Sequence, residues 1–188
     1  MGVIGHNGGP SVEPGASWRT YAWAAARAAL LPTLPIEVVR LRVRRARDLG
    51  LDYKTYAGVR AASGHDVVAF LFSSNALRLV PARTKLGPVH VAKLLEIKDC
   101  SRIALVTAPL MPDAVLAANA DRLDASHPAP FALARFADIK TALRAAMGNL
   151  PGDQVVLIGD HALEQDWRAA GWLAAYLPAD RYFGHART

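Results

Sequence analysis

Val67–Leu77 reads VVAFLFSSNAL: six apolar residues that stop abruptly at two serines and an asparagine. An apolar run of that length, with no polar alternation, predicts a strand buried on both faces. Two later stretches have the same form. Ile103–Val106 (IALV) is closed by Thr107, and Val155–Ile158 (VVLI) is closed by Gly159 and Asp160. Helical spacing fills the intervals: Pro88–Lys98 through Val91, Leu94 and Leu95, then Asp113–Leu123, Ile139–Met147 and Leu163–Ala170. Phe131–Phe136 and Leu173–Leu177 read as shorter strands. This alternation predicts an α/β domain over residues 66–182, a parallel Rossmann-like sheet with helices on both faces. Such sheets bind ligands beyond the carboxyl ends of their strands, which directs attention to Ser73-Ser74-Asn75, Thr107 and Gly159-Asp160-His161.

The segment before the sheet has a different texture. Residues 1–17 hold five glycines and two prolines with no apolar period and read as a flexible leader. Residues 18–64 read as a basic helical region. Trp18–Leu31 is Ala-rich, with Ser17 as N-cap and Pro32 as stop. A second helix runs from about Pro35 to Gly50, and a third from Tyr53 to Ala62, ended by Gly64. In the second, Ile36, Val39, Val43 and Ala46 share a face expected to lie against the body. Arg40, Arg44 and Arg47 form the neighbouring stripe, joined by Arg42 and Arg45. Residues 1–64 hold nine basic and four acidic residues, against thirteen and twelve in the remainder. Nearly all of the net charge of +6 therefore lies in the first third. A basic segment beside a neutral body suits an acidic partner, either nucleic acid or an acidic protein. Ala46–Gly64 also has the cadence of a helix-turn-helix. That would set Lys54, Thr55 and Arg60 towards a major groove, with Arg44, Arg45 and Arg47 near phosphates. Helix–Gly–helix corners serve purely structural ends as well.

Composition closes off several classes. With 52% hydrophobic and 20% charged residues in 188, the chain has enough apolar surface to fold. The longest apolar stretch, Ala22–Leu34, is interrupted by Arg27 and Pro32, short of the ~20 residues of a membrane span. Met1–Pro10 lacks the basic and apolar regions of a signal peptide, so a cytoplasmic location is expected. The single cysteine, Cys100, excludes an internal disulfide framework and reads as a buried thiol. Six histidines show no metal spacing. Trp18 with Trp23, and Trp167 with Trp172, stand five apart and are expected to serve packing.

The order of the strand-end motifs resembles a haloacid dehalogenase-like domain without a large cap, over about residues 66–176. VVAFLFSSNAL (Val67–Leu77) stands where that family has an apolar strand followed by Asp-x-Asp-x-Thr. PVHVAKLLEIKDCSRIALVTA (Pro88–Ala108) resembles the helix and second strand that end in the family's Ser/Thr. Lys140 near a helix start resembles its phosphate-binding lysine, and VVLIGDHALE (Val155–Glu164) its acidic metal motif. The resemblance implies Thr107 and Lys140 on phosphate, and Asp160 and Glu164 on Mg²⁺. In the first motif, however, the nucleophilic Asp falls on Leu71, the general acid/base Asp on Ser73 and the Thr on Asn75. A leucine can neither attack phosphorus nor hold a cation, and Ser73 has no neighbouring base in sequence. The expectation is a non-catalytic binding or regulatory protein on a degenerate scaffold, whose basic helices carry the partner. The alternative is a Mg²⁺-dependent phosphohydrolase working without the aspartate.

Overall fold

The computed structural model describes residues 34–131 and 133–184. Chain contacts divide the protein after Val39, and the architecture below is that of the unit from Arg40 onward. The expected leader and the expected helix Trp18–Leu31 lie outside the described residues.

Helices α1 (Ile36–Asp48) and α2 (Tyr53–Ser63) meet at Gly50, whose φ of +64° suits a residue without a side chain. Asp52 caps α2 through the Thr55 amide and hydroxyl, and those hydrogen bonds hold its carboxyl below the usual range. The sheet follows as β1 (Ala69–Ser73), α3 (Pro88–Glu96), β2 (Ser101–Val106), α4 (Pro112–Ala118), β3 (Ala125–Pro128), α5 (Phe136–Met147), β4 (Val155–Gly159), α6 (Gln165–Gly171), β5 (Ala175–Pro178) and α7 (Ala179–Phe183). All four pairings are parallel, in the order β3-β2-β1-β4-β5. The strands predicted from the three apolar runs are thus the three central ones, and the fold is α/β and Rossmann-like.

Alternation along these strands feeds two cores. Phe70, Phe72, Ala104, Val106, Val156 and Ile158 join Leu94 of α3, Val115 of α4 and Tyr182 of α7. Ala69, Leu71, Ile103, Leu105, Val155 and Leu157 join Ile139 and Leu143 of α5 and Trp167 of α6. Because both faces are covered, the central strands carry no polar alternation. Ala46, Leu49, Tyr56 and Val59 belong to the first core, so the end of α1 and one face of α2 are part of it.

Three expectations are corrected. The third strand is Ala125–Pro128, not Phe131–Phe136, whose Phe131, Leu133 and Phe136 are exposed. An edge strand has one neighbour, and β3 takes its hydrogen bonds from β2 with the unremarkable sequence ASHP, so no apolar run marks it. Within the unit from Arg40 onward, the apolar face of α1 is only partly covered: Ala46 is buried, whereas Val43 is exposed. Trp167 is buried as a packing residue, but Trp172 is 76% exposed and is no part of either core.

Candidate functional site at the strand ends

Because β2, β1 and β4 are adjacent, their carboxyl ends converge as the sequence implied. Ser73 closes β1 opposite Leu105, one residue beyond the pairing of Phe72 with Ile158. Gly159 closes β4, and the chain then makes one 3-10 turn, Ala162–Glu164. That turn folds the Glu164 side chain back over the strand ends, where it is only 3% exposed. One carboxylate oxygen, Oε2, accepts the Ser73 hydroxyl at 3.0 Å, the Asp160 amide at 2.7 Å and the His161 amide at 3.3 Å. The other, Oε1, accepts Asn75 Nδ2 at 2.8 Å. A Cβ on Gly159 would stand 2.6 Å from Oε2 and 2.5 Å from the Tyr176 ring, so only glycine lets the carboxylate come this close. Four donors within one oxygen pair stabilise the buried charge without a counter-cation.

The remaining polar groups are tied down in the same way. Ser73 Oγ also accepts the Ala76 amide at 3.1 Å, and Ser74 Oγ accepts the Thr107 amide at 3.1 Å. Both serines are fully buried, while Thr107 is exposed. Arg78 donates to Asp160 Oδ2 at 2.6 Å and pairs with Asp180 at 3.6 Å. The Tyr176 hydroxyl donates to the His161 carbonyl at 3.3 Å. Its pKa is raised by burial, then by the charges of Glu164 and Asp160.

Both carboxylates proposed for Mg²⁺ therefore already have partners in the chain, and among the described residues no group of three or more His, Cys, Asp or Glu is placed to hold a metal. The donor set does not fit a divalent cation without breaking the Arg78 pair or the Glu164 network. Leu71 lies mid-strand, between Ile103 and Leu157, fully buried. The positions that reach the end of β1 are Ser73, Ser74 and Asn75, none of them a carboxylate. Ser73 faces the Glu164 carboxylate from a site with no solvent exposure, and no histidine or lysine is among its hydrogen-bond partners. Lys140 is exposed on α5 and lines a cavity with Pro151 and Gly152, where the chain enters β4, rather than the strand ends. Sequence reasoning missed Arg78 and Tyr176, which no local pattern marks. Asn75 was legible as a polar residue directly after the apolar run, but not as a partner of Glu164.

The basic residues separate into two groups. Arg45 is internal: it donates to Asp66 Oδ2 at 3.0 Å and to the carbonyls of Val67, Lys98 and Asp99 at 2.8, 3.0 and 3.1 Å. Arg60 stands 3.9 Å from Asp66, which also accepts the Tyr56 hydroxyl at 2.8 Å. Thr55, expected to face a groove, is buried and accepts Arg181 at 2.6 Å. Arg40, Arg44, Arg47 and Lys54 are exposed. Cys100 is half-buried, and burial pushes its thiol up to about 12, which disfavours the thiolate. Among the described residues no helix is long and apolar enough to cross a membrane. No protein-family model matches the chain, and neither a curated protein nor a solved structure matches it.

Proposed function

We propose that this chain is a non-catalytic binding protein on a degenerate haloacid dehalogenase-like scaffold, and that it docks nucleic acid through the exposed cations of α1 and α2. The observation that carries the non-catalytic part is the closure of the strand-end crevice. Glu164 is saturated by Ser73, Asn75 and two backbone amides, and Asp160 is held by Arg78. A phosphohydrolase would need those carboxylates open to a cation and a nucleophile within reach of phosphorus. Here the strand end offers a buried serine hydrogen-bonded to a carboxylate.

The basic helices support the binding part. Arg44, Arg47 and Lys54 are exposed, and among the described residues none of them forms an ion pair with a carboxylate. Arg40 lies on the same exposed stripe. Arg45 and Arg60 contribute differently, by fastening α1 and α2 to Asp66 and so fixing the cations that face solvent. Long-range attraction of a polyanion needs no base-reading side chains, which fits an α2 whose Thr55 is turned inward.

Fluorescence anisotropy with short labelled single- and double-stranded DNA at low salt tests the reading. Arg44→Gln combined with Arg47→Gln should weaken binding and lower the slope of log K against log salt by ~0.9 for each duplex phosphate no longer neutralised. Absence of binding by the wild-type protein would refute the nucleic-acid assignment. Binding to an acidic polypeptide without competition from DNA would transfer the surface to a protein partner. Hydrolysis of an aryl phosphate with Mg²⁺, lost in Asp160→Asn, would overturn the non-catalytic reading.

A further inference from the structure

Trp172 combines two features that each carry a cost. Its indole is 76% exposed, and its backbone is left-handed, with φ of 54° and ψ of 38°. It follows α6 at the position where glycine or asparagine normally ends a helix, and its N–H donates to Ala169 O while the Leu173 N–H donates to Arg168 O. The turn is pressed against the segment that leads into β4. A Cβ on Gly152 would lie 2.4 Å from Gly171 O and 3.0 Å from Trp172 O, and the Ala174 N–H donates to Gly152 O at 3.1 Å. The backbone is thus over-determined by its surroundings, the condition under which a strained residue persists, and such residues cluster at functional positions. Among the described residues no ring or cation stacks on the indole.

The surroundings of this exposed ring are cationic. Trp172 lines two cavities. One, of about 400 Å³, is lined by Lys140 and Arg144 of α5; the other, of about 350 Å³, is lined by Arg168 of α6. Among the described residues none of these three cations pairs with a carboxylate. One carboxylate, Asp153, also lines the second cavity, 3.5 Å from the His65 ring. An exposed aromatic ring that lines two cavities together with unpaired cations matches the chemistry of a nucleobase and its phosphate: the base stacks, and the cations follow the backbone. We propose that Trp172 is a stacking platform for a nucleobase whose phosphate is held by Lys140 and Arg144. The ligand is either a free nucleotide or one unit of a single strand. Ala62 and Ser63 of α2 line the second cavity, but none of the cations of α1 or α2 lines either one.

Saturation-transfer NMR on the full chain with adenosine monophosphate at low salt tests the site. The expected result is transfer to the adenine protons, with ribose 5-phosphate giving none. With the Arg44→Gln, Arg47→Gln variant, a short oligo(dA) that binds at least about tenfold tighter than the mononucleotide identifies a single strand as the source; equal affinity identifies a free nucleotide. Trp172→Gly should weaken binding about fivefold or more while its melting temperature stays the same or rises, because glycine accepts this backbone. Lys140→Gln with Arg144→Gln should weaken the monophosphate but not adenosine. Arg44→Gln with Arg47→Gln should leave transfer unchanged, which separates this site from the basic helices. The assignment is overturned if the wild-type protein binds neither probe, if Trp172→Gly binds as the wild type does, or if the Arg44 and Arg47 variant abolishes transfer. It is also overturned if the wild-type protein ignores both probes yet binds anionic vesicles through Trp172.

Discussion

Removing Glu164 tests the closed crevice directly. In Glu164→Ala, the Ser73 hydroxyl, Asn75 Nδ2 and the amides of Asp160 and His161 all lose their acceptor. A buried donor left unpaired costs ~1–3 kcal/mol, but the Ser73 hydroxyl can rotate and Asn75 is half-buried, so water relieves part of the loss. The amide groups beside the closed end of β4 cannot rotate. A net loss of about 3–5 kcal/mol is expected, which for a domain of this size lowers the melting temperature by about 10 °C. Glu164→Gln is the informative companion. Its carbonyl can replace Oε2 at the three-donor side, and Asn75 can turn its amide to meet the new NH₂. Only charge assistance is lost, about 1–2 kcal/mol. Thermal melts of the wild type and both variants, each with and without Mg²⁺, decide the matter. A cation that bound the folded state at a hundred times its Kd would stabilise it by ~2.7 kcal/mol. The closed network predicts no rise. A wild-type rise with Mg²⁺ that disappears in Glu164→Gln would show that the carboxylate is a metal ligand, and Glu164→Ala melting with the wild type would show that the network bears no stability. Either result refutes the reasoning.

Two further outcomes follow from other parts of the fold. Arg45→Gln removes donors to Asp66 and to three carbonyls and should cost about 2–3 kcal/mol in urea unfolding; Arg44→Gln, on the exposed side of the same helix, should stay within ~0.5 kcal/mol. Equal costs would show that Arg45 is no anchor. His90 is half-buried against Phe183, with ring centroids 4.4 Å apart and a ring nitrogen 3.1 Å from Ala76 O; burial lowers its pKa below 6.5, and the nearby charges of Arg78 and Arg83 lower it further. The unfolded chain therefore takes up this proton first. The stability due to neutral His90 should be present above pH 6.5 and be lost as pH falls from there through the lower folded value, a slope that His90→Gln should flatten in melts across that range.

Read alone, the sequence shows the sheet and the polar residues that close its strands. Three unbroken apolar runs, each closed by small polar residues, are legible because a strand buried on both faces has no polar position to hide. Their alternation with helical spacing fixed the parallel α/β class, and the lack of a carboxylate where the first run ends could be read from Ser73, Ser74 and Asn75 alone. Tertiary structure decided what those residues do. That Glu164 returns to meet Ser73, 91 positions earlier, depends on β1 and β4 being neighbours and on Gly159 leaving room, neither of which local spacing encodes. Arg44 and Arg45 are adjacent in sequence and chemically identical, yet one faces solvent while the other fastens α1 to Asp66. Strand β3 escaped notice because an edge strand needs only backbone hydrogen bonds from one neighbour. Trp167 and Trp172 looked like a packing pair at a spacing of five, and only the helix end between them, with Trp172 in left-handed backbone, separates a core residue from one presented to solvent. Sequence periodicity reports which side of an element is apolar; which groups meet across the fold is set by the order in which the strands assemble.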